Sequence, residues 1–180
     1  MLILAMLFSG AMSNFLIYRY SLNTQFEQLR DKLRTIATVS ALAVDAEALA
    51  KVPLSADGVN SPYYKTVEDN LRRIRGAIPS IKYIYTMART DKPGILKFIV
   101  DLDSGRDTGS PAASPGEEYD ASAFPRLPEG FDAPTADNNL GRDRWGVFLS
   151  GYAPVRDSAG GVIAIVGVDM AADDVYAIQK

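Results

Sequence analysis

The sequence predicts an α+β fold in which an antiparallel sheet follows a long N-terminal helix. Between residues 22 and 36, apolar side chains recur at intervals of three and four, which is typical of one face of a helix. Further along, four runs rich in β-branched and aromatic residues form two pairs, and each pair is joined by a short turn containing glycine. Helical segments flank these hairpins, so we expect one domain of the α+β class with an appended helix.

An apolar stretch opens the chain, and no charged side chain occurs from Met1 to Tyr18. As a helix this stretch would be roughly 27 Å long at about 1.5 Å per residue, which matches the hydrocarbon core of a bilayer. A cleaved signal peptide would need a basic residue near its start, and none precedes Arg19. We therefore expect residues 1–20 to form an uncleaved transmembrane helix.

Residues 21–52 are predicted to continue this helix as a stalk that ends before Pro53. Charged residues separate the apolar positions of the stalk, which are Leu22, Phe26, Leu29, Leu33 and Ile36. Such a stripe either joins two copies into a homodimer or packs on the chain's own domain, and the sequence leaves both possibilities open. A stalk continuous with a membrane helix can act as a lever, which suits a receptor.

Residues 53–172 are predicted to form the globular domain. Ser61 and Pro62 have the pattern of a helix N-cap followed by a first-turn proline, and Pro79 ends that helix. Strands are expected at residues 82–89, 95–102, 145–155 and 161–170, and residues 173–180 begin an exit helix. Both ends of the domain are thus helical and can face the membrane.

A segment of some 40 residues, 103–144, separates the two hairpins and is rich in Gly, Pro, Ser, Ala and Asp. So long a connection inside a domain is unusual and is commonly a lid or a binding loop. Its apolar residues favour an ordered cover over a floppy insertion, and they are Tyr119, Phe124, Leu127 and Phe131. We expect residues 115–120 to fold over the mouth of a pocket, with Tyr119 and Asp120 as candidate ligand-binding residues.

Composition excludes several function classes. The 180 residues contain neither histidine nor cysteine, so the commonest acid/base group, thiol nucleophiles and the commonest zinc ligands are missing. Basic residues are scattered and the net charge is −3, which disfavours nucleic-acid binding. Forty-seven per cent hydrophobic content is enough for a core. We expect no cofactor and no enzymatic activity in this chain.

The sequence leaves two alternative functions open, and it contains one pattern that resembles a metal site. A membrane-anchored enzyme would use carboxylates of the loop such as Glu117, Glu118 and Asp120, whereas a purely structural dimerisation module would have a filled core. The spacing of Asp101, Asp103 and Asp107 suggests calcium. A glycine at the fifth position and the lack of a closing glutamate exclude an EF-hand. We predict no metal site, and a looser cation site is the alternative.

The stretch WGVFLSGYAPVRDSAGGVIAIVGVDM, from Trp145 to Met170, resembles the Cache superfamily of PAS-like extracytoplasmic sensor domains. The resemblance covers roughly residues 62–175. It implies a PAS-like antiparallel sheet in the periplasm, a small-molecule ligand, and an exit helix that returns to the inner membrane and an output module. A histidine kinase is the first expectation for the parent protein, and a diguanylate cyclase or a chemoreceptor is the alternative.

In Cache domains the pocket lies on the sheet under a cover of loops, and the resemblance implies that Asp169 faces the ligand. A carboxylate after the apolar run 162–168 also needs a partner or water on physical grounds. The alternative role for Asp169 is to cap the exit helix.

Aromatic residues supply the other candidates for the ligand site. The period of two in strands puts Tyr83, Tyr85 and Met87 on one face of a strand. It likewise puts Phe148, Ser150 and Tyr152 on one face of the third strand. Tyrosines combine an apolar ring with a hydroxyl, as small-ligand pockets do, although buried tyrosines also serve as plain core. Trp145 is expected to form an aromatic wall where the loop rejoins the sheet. The arginine pattern of amino-acid-binding Cache domains is not met, which argues against an amino-acid ligand.

Overall fold

A computed structural model describes residues 2–102 and 113–178. The helices are α1 (Leu2–Ala43), α2 (Ala46–Ala50), α3 (Pro62–Ala77), α4 (Arg126–Glu129) and α5 (Ala172–Ile178), with a 3₁₀ turn at Ala56–Asn60. The strands are β1 (Tyr83–Arg89), β2 (Ile95–Asp101), β3 (Glu118–Asp120), β4 (Thr135–Ala136), β5 (Gly141–Asp143), β6 (Gly146–Arg156) and β7 (Val162–Ala171).

All strand pairs of the sheet are antiparallel, and the order is β3-β2-β1-β7-β6-β4 with β5 also paired to β6. The hairpins β1–β2 and β6–β7 join through the β1–β7 pair, which includes Tyr83 opposite Asp169 and Tyr85 opposite Gly167. The four long strands begin and end within about a residue of their predicted limits. The predicted α+β fold with an antiparallel sheet and a long N-terminal helix is confirmed.

Helices cover one face of the sheet. Leu29, Leu33 and Ile36 of α1 are buried in the same core as apolar residues of β6 and β7. At Gly151 of β6 an added Cβ would lie 2.6 Å from the carbonyl oxygen of Leu33, so the helix backbone rests directly on the strand. The apolar stripe of the predicted stalk therefore packs on the chain's own domain, which was one of its two possible roles.

Caps define the helix boundaries near this face. The Ser61 hydroxyl accepts a hydrogen bond from the Tyr63 amide at 3.2 Å, which confirms the predicted start of α3. The stalk helix does not run to about residue 50 as expected. Asp45 has extended backbone and its Oδ1 accepts a hydrogen bond from the Ala48 amide at 2.9 Å, so it starts the separate helix α2.

Residues 113–145 cover the opposite face of the sheet. Phe124, Leu127 and Phe131 are buried there, in a second core with Phe98 of β2 and Ile165 of β7. The ordered cover predicted from the apolar residues of the long loop is confirmed for this part of the chain. Residues 103–112 of that loop lie outside the described residues.

The N-terminal part of α1 carries exposed apolar side chains. Six of them are between 55% and 69% exposed, and they are Met6, Leu7, Phe8, Phe15, Leu16 and Ile17. A search of the described residues finds no helix with both the length and the apolar character of a membrane span. Residue 1 and the side chains of residues 2, 4 and 5 lie outside what the structure describes. The transmembrane helix at residues 1–20 stays a prediction.

Candidate ligand-binding site

A small cleft, partly open to solvent, lies on the loop-covered face of the sheet. Its lining combines five aromatic rings, three carboxylates and one thioether. These residues are Tyr83, Tyr85, Met87, Phe98, Asp101, Tyr119, Asp143, Trp145 and Asp169. Among the described residues, no lysine or arginine lines the cleft. The mixture of apolar walls with a few polar groups is typical of small-molecule sites.

Strand alternation turns the β1 residues into the cleft. Ile84 faces the helix-covered core, so Tyr83, Tyr85 and Met87 point to the other face. The Tyr85 ring occupies the space above Gly167 on the neighbouring strand, where an added Cβ would lie 2.3 Å from a ring carbon. The glycine thus allows Tyr85 to reach along β7 and to donate a hydrogen bond from its hydroxyl to Asp169 Oδ1 at 3.3 Å.

Phe98 is the centre of the aromatic wall. Its ring centroid lies 5.7 Å from that of Tyr85, 5.8 Å from that of Tyr119 and 5.6 Å from that of Trp145, each in an edge-to-face arrangement. The Tyr119 and Trp145 rings lie 6.1 Å apart. Four segments of the chain thus meet around one ring, and edge-to-face contacts of this kind stabilise aromatic clusters beyond their buried area.

Asp169 is a buried carboxylate that lines the cleft. Burial raises the pKa of Asp169 well above its ordinary value, the hydrogen bond from Ser150 lowers it, and the charge of Asp143 raises it further. Asp169 lies within β7, where its register partners are Tyr83 of β1 and Ser150 of β6. It precedes the first residue of α5, Ala172, by three positions. It therefore does not cap the exit helix, which was its alternative role.

The other two carboxylates are fixed by hydrogen bonds. Asp143 accepts a bond from the Tyr119 hydroxyl at 3.1 Å and one from the Trp145 amide at 2.8 Å. Asp101, at the end of β2, accepts a bond from the Ala113 amide at 2.9 Å. In the part of the chain that is described, no three acidic side chains are grouped so that they could hold a metal ion. Asp103 and Asp107 of the calcium-like pattern lie outside it.

Five of the eight predicted ligand-binding residues line the cleft: Tyr83, Tyr85, Tyr119, Trp145 and Asp169. Phe148 lies behind the lining, where its ring packs edge-on against Tyr83 at 5.1 Å. Tyr152 is buried beside the cleft and does not line it. Asp120 is exposed on the outer side of β3, because strand alternation turns Tyr119 inward and Asp120 outward.

Four lining residues were not among the predicted ligand-binding residues. Met87 had been assigned to the strand face of Tyr83 and Tyr85, and Phe98 could have been found, because alternation along β2 assigns it to the cleft face. Asp101 was considered only as a calcium ligand, and no local pattern singles out Asp143. Arg144, the residue before Trp145, stacks 3.9 Å above the Trp145 ring and forms an ion pair with Glu117.

A polar connection runs from the cleft to α1. The Ser150 hydroxyl lies within hydrogen-bonding reach of the carboxylates of both Asp169 and Asp137. Asp137 also accepts a bond from the Tyr152 hydroxyl at 3.0 Å, and its carbonyl oxygen accepts one from Arg30 Nε at 2.9 Å. Burial raises the pKa of Asp137 to about 6, while the bonds from Tyr152 and Ser150 and the charge of Arg30 oppose that rise.

No family model matches the chain, and no curated protein matches it in sequence. The ligand-binding domain of the Campylobacter jejuni chemoreceptor Tlp3, solved with L-valine, is similar with a TM-score of 0.57 and 12% identity. The match covers 96% of this chain and 64% of that domain. The chain thus spans less than two thirds of the length of the Tlp3 domain.

Two further sensor domains share the fold. That of Escherichia coli DcuS has a TM-score of 0.54 and 13% identity over 86% of this chain and 97% of that one. That of the Vibrio cholerae histidine kinase DctB has a TM-score of 0.56 and 16% identity over 91% and 60% of the two chains. The predicted resemblance is therefore confirmed at the level of the fold, which the chain shares with these sensor domains.

Proposed function

We propose that this chain is the extracytoplasmic sensing domain of a bacterial inner-membrane receptor. A small molecule binds in the cleft, and the resulting change in the sheet is passed to α1. The observation that carries the proposal is the cleft itself. Polar groups converge there on an apolar, ring-lined space under the loop cover, and the fold is shared with the Tlp3, DcuS and DctB sensor domains.

Transmission is supported by the way α1 contacts the domain. Leu33 of this helix is fully buried against β6, and Arg30 bonds to the segment that follows β4. The helix runs without a break from Leu2 to Ala43. A shift of β6 or of the Asp137 segment would therefore displace a continuous helix, as two-state receptors require.

Membrane attachment is supported by the exposed apolar side chains at the N-terminal end of α1, which need a cover. The test is flotation of the full chain with phospholipid vesicles, comparing the wild type with the double variant Leu7→Lys and Leu16→Lys. We expect the wild type to float and the variant to remain in the aqueous fraction. A wild-type chain that does not associate with vesicles would overturn this part of the proposal.

Homodimerisation would use the side of α1 that faces away from the sheet. The stripe around Leu33 is already occupied, but Val39 and Leu42 are 56% and 82% exposed. Because the chain has no cysteine, Leu42→Cys would form an intermolecular disulfide only if two α1 helices approach each other there. If Leu42→Cys forms no disulfide-linked dimer under oxidising conditions and light scattering gives the mass of a monomer, the dimer is contradicted.

The parent receptor is proposed to be a histidine kinase, with a diguanylate cyclase or a chemoreceptor as the alternatives. Similar folds occur in both a histidine kinase and a chemoreceptor, so the output must be read from the gene. A second apolar span followed by a signalling module is the expected continuation. A gene whose sequence completes an enzyme, without such a span and signalling module, would contradict the receptor proposal.

The enzyme alternative draws no support from the loop carboxylates. Glu117 pairs with Arg144, and Glu118 lies 3.0 Å from Lys92. Asp120 is exposed and accepts a bond from a nearby backbone amide. These groups lie on the outer surface and do not converge on one reacting centre.

The test of sensing is a thermal-shift screen of the full chain against amino acids, carboxylic acids, sugars and amines. A ligand at about 100 times its dissociation constant stabilises the native state by about 2.7 kcal/mol, which is easily measured. We expect at least one compound to stabilise the wild type and to lose its effect in Trp145→Leu and Tyr119→Leu. Tyr63→Leu, which removes an exposed aromatic ring on α3, should retain the effect.

If no compound stabilises the chain, the structural-module alternative is favoured and the sensing proposal falls. Stabilisation that persists in both cleft variants would place the binding site elsewhere and would also contradict the proposal.

A further inference from the structure

We infer that Asp169 of the cleft and Asp137, which follows β4, hold one proton between them at neutral pH, and that this proton passes through the hydroxyl of Ser150. A ligand that contacts Asp169 then determines which of the two carboxylates is ionised. The link to the ligand rests on the proposed sensing function, whereas the shared proton does not. The inference is carried by the position of these three side chains in the sheet, their burial and their hydrogen-bond donors.

The three side chains stand in one row across the sheet. Ser150 of β6 is the register partner of Asp169 of β7. On the other side of β6, Ala136 pairs with Gly151, and the amide of the next residue, Asp137, donates a hydrogen bond to the Ser150 carbonyl oxygen at 2.9 Å. Directly opposite residues point to the same face, with Cβ atoms about 5 Å apart. The Ser150 hydroxyl therefore lies between the two carboxylates.

Both carboxylates are buried. Asp169 is 7% exposed, Asp137 is 5% exposed and Ser150 between them is 4% exposed. Among the described residues, no lysine or arginine forms an ion pair with either carboxylate. Arg30 bonds to the backbone carbonyl of Asp137, not to its side chain. Because two buried negative charges that share one site repel each other, we expect the pair to keep one proton.

The hydrogen-bond donors match a pair with one negative charge. The Tyr85 hydroxyl donates to Asp169 at 3.3 Å, and the Tyr152 hydroxyl donates to Asp137 at 3.0 Å. Ser150 has one hydroxyl proton, so it can donate to only one carboxylate at a time. Its oxygen can then accept a bond from the other carboxyl group, provided that this group is protonated. The row thus has two arrangements of opposite direction.

The two arrangements interconvert by a shift of two protons. In the first, the Asp169 carboxyl donates to Ser150 Oγ, and Ser150 donates to the Asp137 carboxylate. The O–H bonds of Asp169 and Ser150 then break as new O–H bonds form at Ser150 and Asp137. The number of protons stays the same, and the negative charge moves from Asp137 to Asp169.

The electrostatic surroundings agree with one retained proton. Burial raises the pKa of Asp169 well above its ordinary value and that of Asp137 to about 6. The other titratable and charged groups around Asp169 are Lys82, Tyr83 and Tyr85 at β1, Asp101 of β2, Tyr119 of β3 and Asp143 of β5. Those around Asp137 are Tyr152 of β6, Arg30 of α1 and Arg126 of α4.

The position of the negative charge matters for α1. Ionised Asp137 attracts the guanidinium of Arg30, whose Nε lies 2.9 Å from the carbonyl oxygen of the same residue. A ligand that donates a hydrogen bond to Asp169 favours the ionised form of Asp169 and moves the proton to Asp137, which weakens this attraction. A ligand that accepts a bond from Asp169 has the opposite effect.

The test is a pH titration of the full chain with ¹³C at the aspartate carboxyl carbons, followed by NMR. Asp137→Asn and Asp169→Asn assign the two resonances. In the wild type we expect one pKa of about 6 and a second well above the ordinary range of an aspartate, with both resonances changing in both steps. The shared proton is overturned if each resonance changes in only one step, or if both carboxylates are ionised at neutral pH.

Substitutions test the coupling. Asp169→Asn should lower the pKa of Asp137 by about one pH unit or more, and Asp137→Asn should lower that of Asp169 equally, because coupling is reciprocal. Ser150→Ala removes a donor and should raise both values, whereas Ser150→Thr keeps the hydroxyl and should restore the wild-type titration. Asp57→Asn, at an exposed carboxylate in the 3₁₀ turn, is the control and should change neither. If the three changes at Asp137, Asp169 and Ser150 act no differently from Asp57→Asn, the inference is wrong.

The link to the ligand is tested with the compounds that stabilise the chain in the thermal-shift screen. We expect a compound bound in the cleft to shift the Asp137 resonance at neutral pH, although Asp137 does not line the cleft. If a compound binds there and leaves this resonance unchanged, the link is overturned and sensing stands. If no compound binds, sensing and the link fall together, and the titration alone tests the shared proton.

Discussion

Arg30 of α1 donates a hydrogen bond from its Nε to the carbonyl oxygen of Asp137, 107 residues later in the chain, at 2.9 Å. The side chain of Asp137 shares Ser150 with Asp169 of the cleft. A series of polar contacts thus connects Asp169 of the cleft with helix α1. Both ends of this connection can be tested by substitution.

Replacing Arg30 by Gln should destabilise the domain by about 1–2 kcal/mol, because charge-assisted bonds to the Asp137 carbonyl and to Asn138 are lost. The matched control is Arg34→Gln on the same helix. Arg34 pairs with Asp31 on the exposed surface, and such pairs are worth about 0.5 kcal/mol or less. Urea unfolding measures both variants. Equal losses would contradict the structural role of Arg30.

Asp137 predicts a pH dependence of stability. Its pKa is raised to about 6 in the folded chain by burial, while the unfolded value is about 3.9. The folded state therefore binds this proton more tightly, and the resulting contribution to stability is fully present below about pH 4. It is lost as the pH rises through about 6, and the total is on the order of 3 kcal/mol.

The free energy of unfolding, measured by urea at intervals between pH 4 and 7, should fall less steeply for Asp137→Asn than for the wild type. Asp57→Asn should follow the wild-type curve, because that carboxylate is exposed. Parallel curves for Asp137→Asn and the wild type would show that Asp137 does not titrate in this range.

Gly167→Ala should disturb the cleft without removing any of its polar groups. The new Cβ would lie between 2.3 and 2.7 Å from atoms of the Tyr85 ring, so the ring must move and lose its 3.3 Å bond to Asp169. We expect a loss of about 1–3 kcal/mol, as for other overpacked sites, together with loss of ligand-dependent stabilisation.

Gly76→Ala is the control for that change, since an added Cβ in α3 meets nothing within 4 Å. It should stabilise the chain by up to about 1 kcal/mol, because alanine favours a helix interior. If Gly167→Ala is as well tolerated as Gly76→Ala, Tyr85 is not held as described.

The fold could be predicted because its signals are local. Ser61 and Pro62 mark the start of α3, and alternating apolar residues mark the long strands. The break between α1 and α2 was missed because the capping bond of Asp45 competes with an otherwise good helical pattern. The short strands β3, β4 and β5 have only two or three residues each and leave no period to detect.

The candidate site could be predicted only in part, for a related reason. Tyr83, Tyr85 and Asp169 lie on long strands, where alternation along the strand determines the face. Asp143 lies in the cleft because of the way the cover folds. Its hydrogen bond from Tyr119 joins residues 24 positions apart, which no local pattern reveals. Asp120 was placed at the pocket mouth because the sequence did not reveal strand β3, in which alternation turns Asp120 away from the cleft.

The most direct measurement of the central claim uses Trp145, which is the only tryptophan of the chain and lines the cleft. Its fluorescence would be followed while the full chain is titrated with each compound that stabilises it in the thermal-shift screen, and with sodium chloride at the same ionic strength. We predict a saturable change with at least one of these compounds, lost in Tyr119→Leu, and no saturable change with sodium chloride. No saturable response to any compound would contradict a ligand site at Trp145.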